Sequence, residues 1–114
     1  IPLRLVGSEM CIRDSSHSVL KKAKKGDFRV QDDFGGSVEK INPSLEIIEL
    51  AKKTVKSLKT MPLYARVDII FDNGSNPVIS ELELIEPELW FRFKEESAYK
   101  LAEIVKDFLN KLNC

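Results

Sequence analysis

The chain has 114 residues, 43% hydrophobic and 32% charged, with 18 Lys and Arg balanced by 18 Asp and Glu. That length suits one hydrophobic core and not two, and a zero formal charge argues against a polyanion-binding protein, whose footprint needs a clear cationic excess. No apolar run approaches the ~20 residues that cross a bilayer, and two cysteines cannot staple a disulfide scaffold. The expectation is a cytoplasmic domain with neither nucleic acid nor membrane as partner.

Residues 1–15 (IPLRLVGSEMCIRDS) show no helical or strand period, and Arg4, Glu9, Arg13 and Asp14 break the apolar core that a signal peptide needs. Residues 5–15, LVGSEMCIRDS, are similar at all eleven positions to the translated end of a transposon-based sequencing adapter. That resemblance implies a non-native, disordered segment over 1–15, authentic sequence from about Ser16, and a missing upstream part. Charge neutrality survives its removal. Cys11 goes with it, leaving Cys114 without a partner.

Residues 16–20 (SHSVL) read as a short strand, and Lys21, Lys22, Lys24 and Lys25 as a solvated turn, which is favoured over a phosphate-binding or RNA-binding role. Residues 27–31 (DFRVQ) alternate Phe28 and Val30 with Arg29, so a second strand there presents Arg29 on its polar face. Gly35 and Gly36 follow in a loop, where they serve either a tight turn or close backbone approach to a ligand. Asn42-Pro43 opens the first helix as cap and first residue, with Leu45, Ile48, Ala51, Val55 and Leu58 on its apolar side. Residues 63–71 (LYARVDIIF) and 78–84 (VISELEL) flank the turn sequence DNGSNP and make a β-hairpin. The last helix spans 97–112, with Ala98, Leu101, Ala102, Val105, Phe108, Leu109 and Leu112 on its apolar side. This order predicts an α+β fold, an antiparallel sheet packed against helices.

The hairpin carries the chemistry. Strand alternation points Arg66 and Asp68 to one face, and in simple register Glu81 and Glu83 join them. Three carboxylates beside one arginine repel each other unless a cation is shared, and a hard divalent ion such as Mg²⁺ suits oxygen donors. A solvent-facing sheet with weak surface ion pairs explains the same pattern.

Residues 26–36 (GDFRVQDDFGG) resemble the G-D-F-R-x-N-x-x-x-G-G signature of ATP-grasp ligases of the glutathione synthetase and ribosomal-protein glutamate ligase type, with Gln31 in place of Asn. ARVDI (65–69) resembles their arginine and first magnesium ligand, and Glu81-Leu82-Glu83 stands where they have E-x-N before a proline. SHSVLK, GDFRVQ, YARVD and ELELIEPELWF resemble most the branch that contains a cycloserine-forming O-ureidoserine cyclo-ligase. The resemblance covers 16–112 and implies the C-terminal part of an ATP-grasp domain.

An ATP-dependent carboxylate–amine ligase working through an acylphosphate is the implied activity, with ATP and Mg²⁺ (or Mn²⁺) as cofactors and a small carboxylate plus an amine as substrates. Asp68, Glu81 and Glu83 are the implied metal ligands. Arg66 and Arg29 are the implied catalytic arginines, and Arg29, Gly35, Gly36 and Arg66 the nucleotide-binding set, with Gln31 nearby. Glu83 for Asn, and Pro87 one residue late, put the metal shell in doubt. The chain alone is expected to be inactive, a homo-oligomer of the longer protein stays open, and the competing reading is a non-catalytic nucleotide- or metal-binding regulatory module. His17 is expected to be structural, Glu86 and Glu88 to lie in a loop, and Trp90, Phe91 and Phe93 to pack in the core or between domains rather than stack on a base.

Overall fold

A computed structural model describes residues 5–12, 14–22 and 37–112. The elements run β1 (Leu5–Ile12), β2 (Asp14–Lys22), β3 (Ser37–Ile41), α1 (Leu45–Lys56), β4 (Ala65–Phe71), β5 (Pro77–Glu83), a single 3-10 turn (Phe91–Phe93) and α2 (Glu96–Leu112). All strand pairs are antiparallel, in a five-stranded sheet of order β3-β2-β1-β4-β5. The α+β expectation holds. The strand expected at 27–31 lies outside the described residues, as do Arg29, Gln31, Gly35 and Gly36.

Three elements differ from the expectation. Residues 5–12, expected to be disordered, form the middle strand of the sheet, because an extended segment there satisfies its backbone groups on both sides, against β2 and β4. β3 was not foreseen; its exposed residues give no clear alternation, and pairing with β2 along one edge defines it. Helix α1 starts two residues later than Asn42-Pro43 suggests. Ser44, extended at ψ 159, is its N-cap, its hydroxyl accepting from the Ile47 N–H at 3.4 Å.

One face of the sheet packs on α1. Ala65, Val67 and Ile69 of β4 are buried with Ala51 and Val55 of α1, and Ile47, Leu50, Ile79, Leu82 and Leu84 close around them. Leu82 and Leu84 thus lie against the helix, as alternation predicts. The contact stripe runs through Ile47 and Leu50, and Leu45 is left exposed.

A bulge explains how β5 serves both faces. Asp68 pairs with Glu81, yet Ile69 pairs with Ile79, so Ser80 is an extra residue. In a regular strand Ile79, Glu81 and Glu83 share a face. The bulge turns Ile79 into the core beside Ile69 and leaves both glutamates on the other side.

That other side holds a second cluster, Val19, Leu89 and Trp90, flanked by Val38, Tyr64, Phe91, Phe93 and Leu101. Trp90 is therefore core, and Phe91 and Phe93 pack half-buried against it. Helix α2 meets this layer through Ser97 and Leu101, and buries Ile104 as well, rather than covering the whole predicted stripe; Phe108, Leu109 and Leu112 remain exposed. Amphipathic spacing locates an apolar side but cannot say how far along the helix it is covered.

Candidate functional site

The hairpin register places Arg66 opposite Glu83 and Asp68 opposite Glu81, one row from the next on the face away from α1. Arg66 and Asp68 are 7% and 4% exposed, a depth at which either charge needs a partner. They supply each other through a planar fork: Nε donates to Oδ1 and Nη2 to Oδ2, both at 3.0 Å. Nη2 also lies 3.1 Å from Glu83 Oε1, and Nη1 donates to the Glu88 carbonyl at 3.4 Å.

Glu81 sits at the solvent edge of this group. Its carboxyl is held above the usual carboxylate range, chiefly by a hydrogen bond shared with Glu83, then by burial and by the charges of Glu83 and Asp68, with Arg66 opposing. The three carboxylates are thus crowded around one guanidinium. Their oxygens suit a hard divalent cation in kind. Yet among the described residues no group of three or more His, Cys, Asp or Glu forms a ready metal cage. Arg66 already engages Asp68 and Glu83, so a metal ion must share those carboxylates or displace the arginine from one of them.

Two cations flank Trp90. Arg66 Cζ lies 5.2 Å and Lys21 Nζ 5.4 Å from its ring. Lys21 is a correction to the sequence reading, which put it in a solvated turn: it belongs to β2 and is 7% exposed. The continuing alternation His17, Val19, Lys21 is the signal that places it on the buried face. Trp90 itself holds φ 47 and ψ 51, a left-handed conformation that costs a bulky residue about 1–3 kcal/mol. Its indole Nε1 is buried and has no hydrogen-bond partner among the described residues. Glu86 (φ 52) and Glu88 are exposed in the same loop, Glu88 reaching Arg92 at 3.9 Å, and neither joins the carboxylate group.

The hairpin's own turn is built by Asp72, whose Oδ1 accepts from the N–H groups of Gly74 and Asn76, both at 2.9 Å. These bonds, the Asn76 one first, hold its carboxyl below the ordinary value. Ser75, not Gly74, takes the positive φ of 62. The turn fixes register without touching the site.

No family model and no curated protein matches the sequence. Solved structures do match. The fold is similar to that of D-cycloserine synthetase DcsG. The superposition has a TM-score of 0.75 at 21% identity and covers 91% of this chain and 38% of that one, so this chain spans well under half the length of the enzyme it resembles. The likeness shows the fold, an antiparallel sheet with its helices. No helix among the described residues is long and apolar enough to cross a membrane.

Proposed function

We propose that this chain is the phosphate- and metal-handling part of an ATP-dependent ligase that activates a carboxylate as its acylphosphate. The observation that carries the reading is the Arg66 fork on Asp68, flanked by Glu83 and Glu81, in a fold similar to that of a D-cycloserine synthetase. In such a reaction a substrate carboxylate oxygen attacks the γ-phosphorus of ATP and ADP departs. An amine nitrogen then attacks the acyl carbon, phosphate leaves, and the nitrogen gives up a proton.

The protein's part is positioning and charge balance. Arg66, held flat by Asp68 and covered by Trp90, presents fixed N–H donors to phosphate or to the oxyanion of the tetrahedral intermediate. Asp68, Glu81 and Glu83 would hold Mg²⁺, which supplies neutralisation of the nucleotide phosphates. Arg29, with the backbone N–H groups of Gly35 and Gly36, completes the proposed nucleotide set. The substrates are a small carboxylate and an amine, and the amide-forming step is part of the proposal. We further propose that the upstream remainder of the ligase supplies the substrate pocket, so that the chain binds MgATP but makes no ADP by itself.

Calorimetric titration of the chain with MgATP tests this. Binding that weakens at least tenfold in Asp68→Asn and Glu81→Gln, with ADP release in a longer parent and none from the chain, is the expected result. Unchanged affinity in both variants removes the metal assignment, and binding without turnover in the parent favours a regulatory module.

A further inference from the structure

His17 lies on β2, in register through residue 10 of β1 with Arg66 of β4 and onward with Glu83 of β5. It is 5% exposed, and the proposed chemistry does not use it. Its Nε2 stands 2.7 Å from the Leu89 carbonyl oxygen. A carbonyl only accepts, so Nε2 carries a proton. Nδ1 faces the hydroxyls of Ser16 at 3.0 Å and Ser97 at 3.4 Å, which are 2.6 Å from each other. Lys94 Nζ donates to the Ser16 carbonyl at 3.0 Å and ties the same corner to the start of α2. Burial favours the neutral imidazole, lowering the pKa against the pull of the Leu89 carbonyl, with Lys94 and Lys40 adding repulsion.

What the bond holds is one peptide from Arg66. The Glu88 carbonyl accepts from Arg66 Nη1, and the Leu89 carbonyl accepts from His17. Two successive carbonyls are thus taken by donors from a single face of the sheet. The next residue is Trp90, in its left-handed conformation with its ring over Arg66. A bulky residue stays in that conformation only when its surroundings over-determine it.

We propose that His17 is a positioning residue for Arg66: its Nε2–H bond to Leu89 fixes the turn at 88–90, so that the Glu88 carbonyl and the Trp90 ring hold the guanidinium over Asp68 and Glu83. The functional consequence rests on the reading of Arg66 given above. The positioning itself does not.

The test uses the intact chain and two amides of different reach. His17→Gln carries its amide nitrogen to about where Nε2 lies, whereas His17→Asn stops near Nδ1. The readouts are the NMR cross-peaks of Arg66 Nε–H and Trp90 Nε1–H, the methyl signals of Val55 and Val67 on the far face, and MgATP affinity. In His17→Asn both cross-peaks move and MgATP binding weakens about tenfold, as for other residues that orient a site from behind. The Val55 and Val67 methyls stay put, and His17→Gln restores the wild-type pattern. Equal behaviour of the two variants, equal movement of the far-face methyls, or unmoved Arg66 and Trp90 signals in His17→Asn each overturn the proposal. If the wild-type chain binds no MgATP, the function proposed above fails while the cross-peaks still decide His17. If neither variant folds, the wild-type imidazole spectrum decides: a proton on Nε2, slow to exchange, supports the assignment, and an Nε2 without a proton overturns it.

Discussion

The two faces of β4 come from one seven-residue strand and obey different rules. Ala65, Val67 and Ile69 lie against α1, where burial is non-directional and any well-shaped apolar group contributes. Arg66 and Asp68 are nearly as deeply buried on the opposite face, yet there each charge is tolerated because it is paired, at 3.0 Å with the other and, for Arg66, at 3.1 Å with Glu83. The first face is specified by volume, the second by pairing. A sequence that alternates apolar with charged residues therefore encodes two unlike kinds of dependence in a single strand.

Breaking the pair should separate the faces most sharply. Asp68→Ala leaves the Arg66 charge buried without its fork and should cost about 3–5 kcal/mol in urea unfolding. The double replacement Arg66→Met with Asp68→Leu should recover most of that stability while losing MgATP binding. If the double variant is as unstable as the single one, the polar face depends on volume after all. On the α1 face, Ile69→Ala should cost about 2–5 kcal/mol through lost transfer energy and a cavity, and no second-site charge change should restore it.

Smaller effects test the edges of the polar face. Ser97→Ala removes the hydroxyl that meets Ser16 and His17 and should cost about 1 kcal/mol by thermal unfolding. The pH dependence should carry two signatures of opposite sign. His17 has a folded pKa below its unfolded value of 6.5, so the folded state binds fewer protons and stability should fall as pH drops through 6.5 and below. His17→Gln should flatten that slope. Glu81 has a folded pKa above 4.5, so the folded state binds more protons and its contribution is lost as pH rises past that value. Glu81→Gln should accordingly be slightly more stable than wild type at neutral pH, with the difference vanishing below pH 4.5; a persistent gap in acid would assign the effect elsewhere.

What the sequence made legible was local. The Asp72 turn and the alternation ARVDI and ELE sufficed to bring Arg66, Asp68, Glu81 and Glu83 to one face, because hairpin register depends on neighbours a few residues apart. The Ser80 bulge that gives Ile79 to the core was not readable, since an inserted residue only declares itself by its pairing. Nor was the placement of Lys21 and His17 around Trp90, contacts that join residues about seventy positions apart with no motif between them. The caps and edges fell between these extremes: Ser44 competes with Asn42 as a helix start, and side-chain acceptance from Ile47 settles it. Arg29, Gly35 and Gly36 belong to a stretch outside the described residues.

The strand order has a consequence for how the molecule assembles. The hairpins β1–β2 and β4–β5 are each local and can form within microseconds. Their union is the β1–β4 ladder, residue 7 to Ile69 through Cys11 to Ala65, which closes only after the chain has travelled through β3 and α1. His17 arrives with one hairpin and Arg66 with the other. The junction of His17 with the Arg66 group thus depends on this ladder, and amide exchange along β1–β4 would report how stably the two are joined.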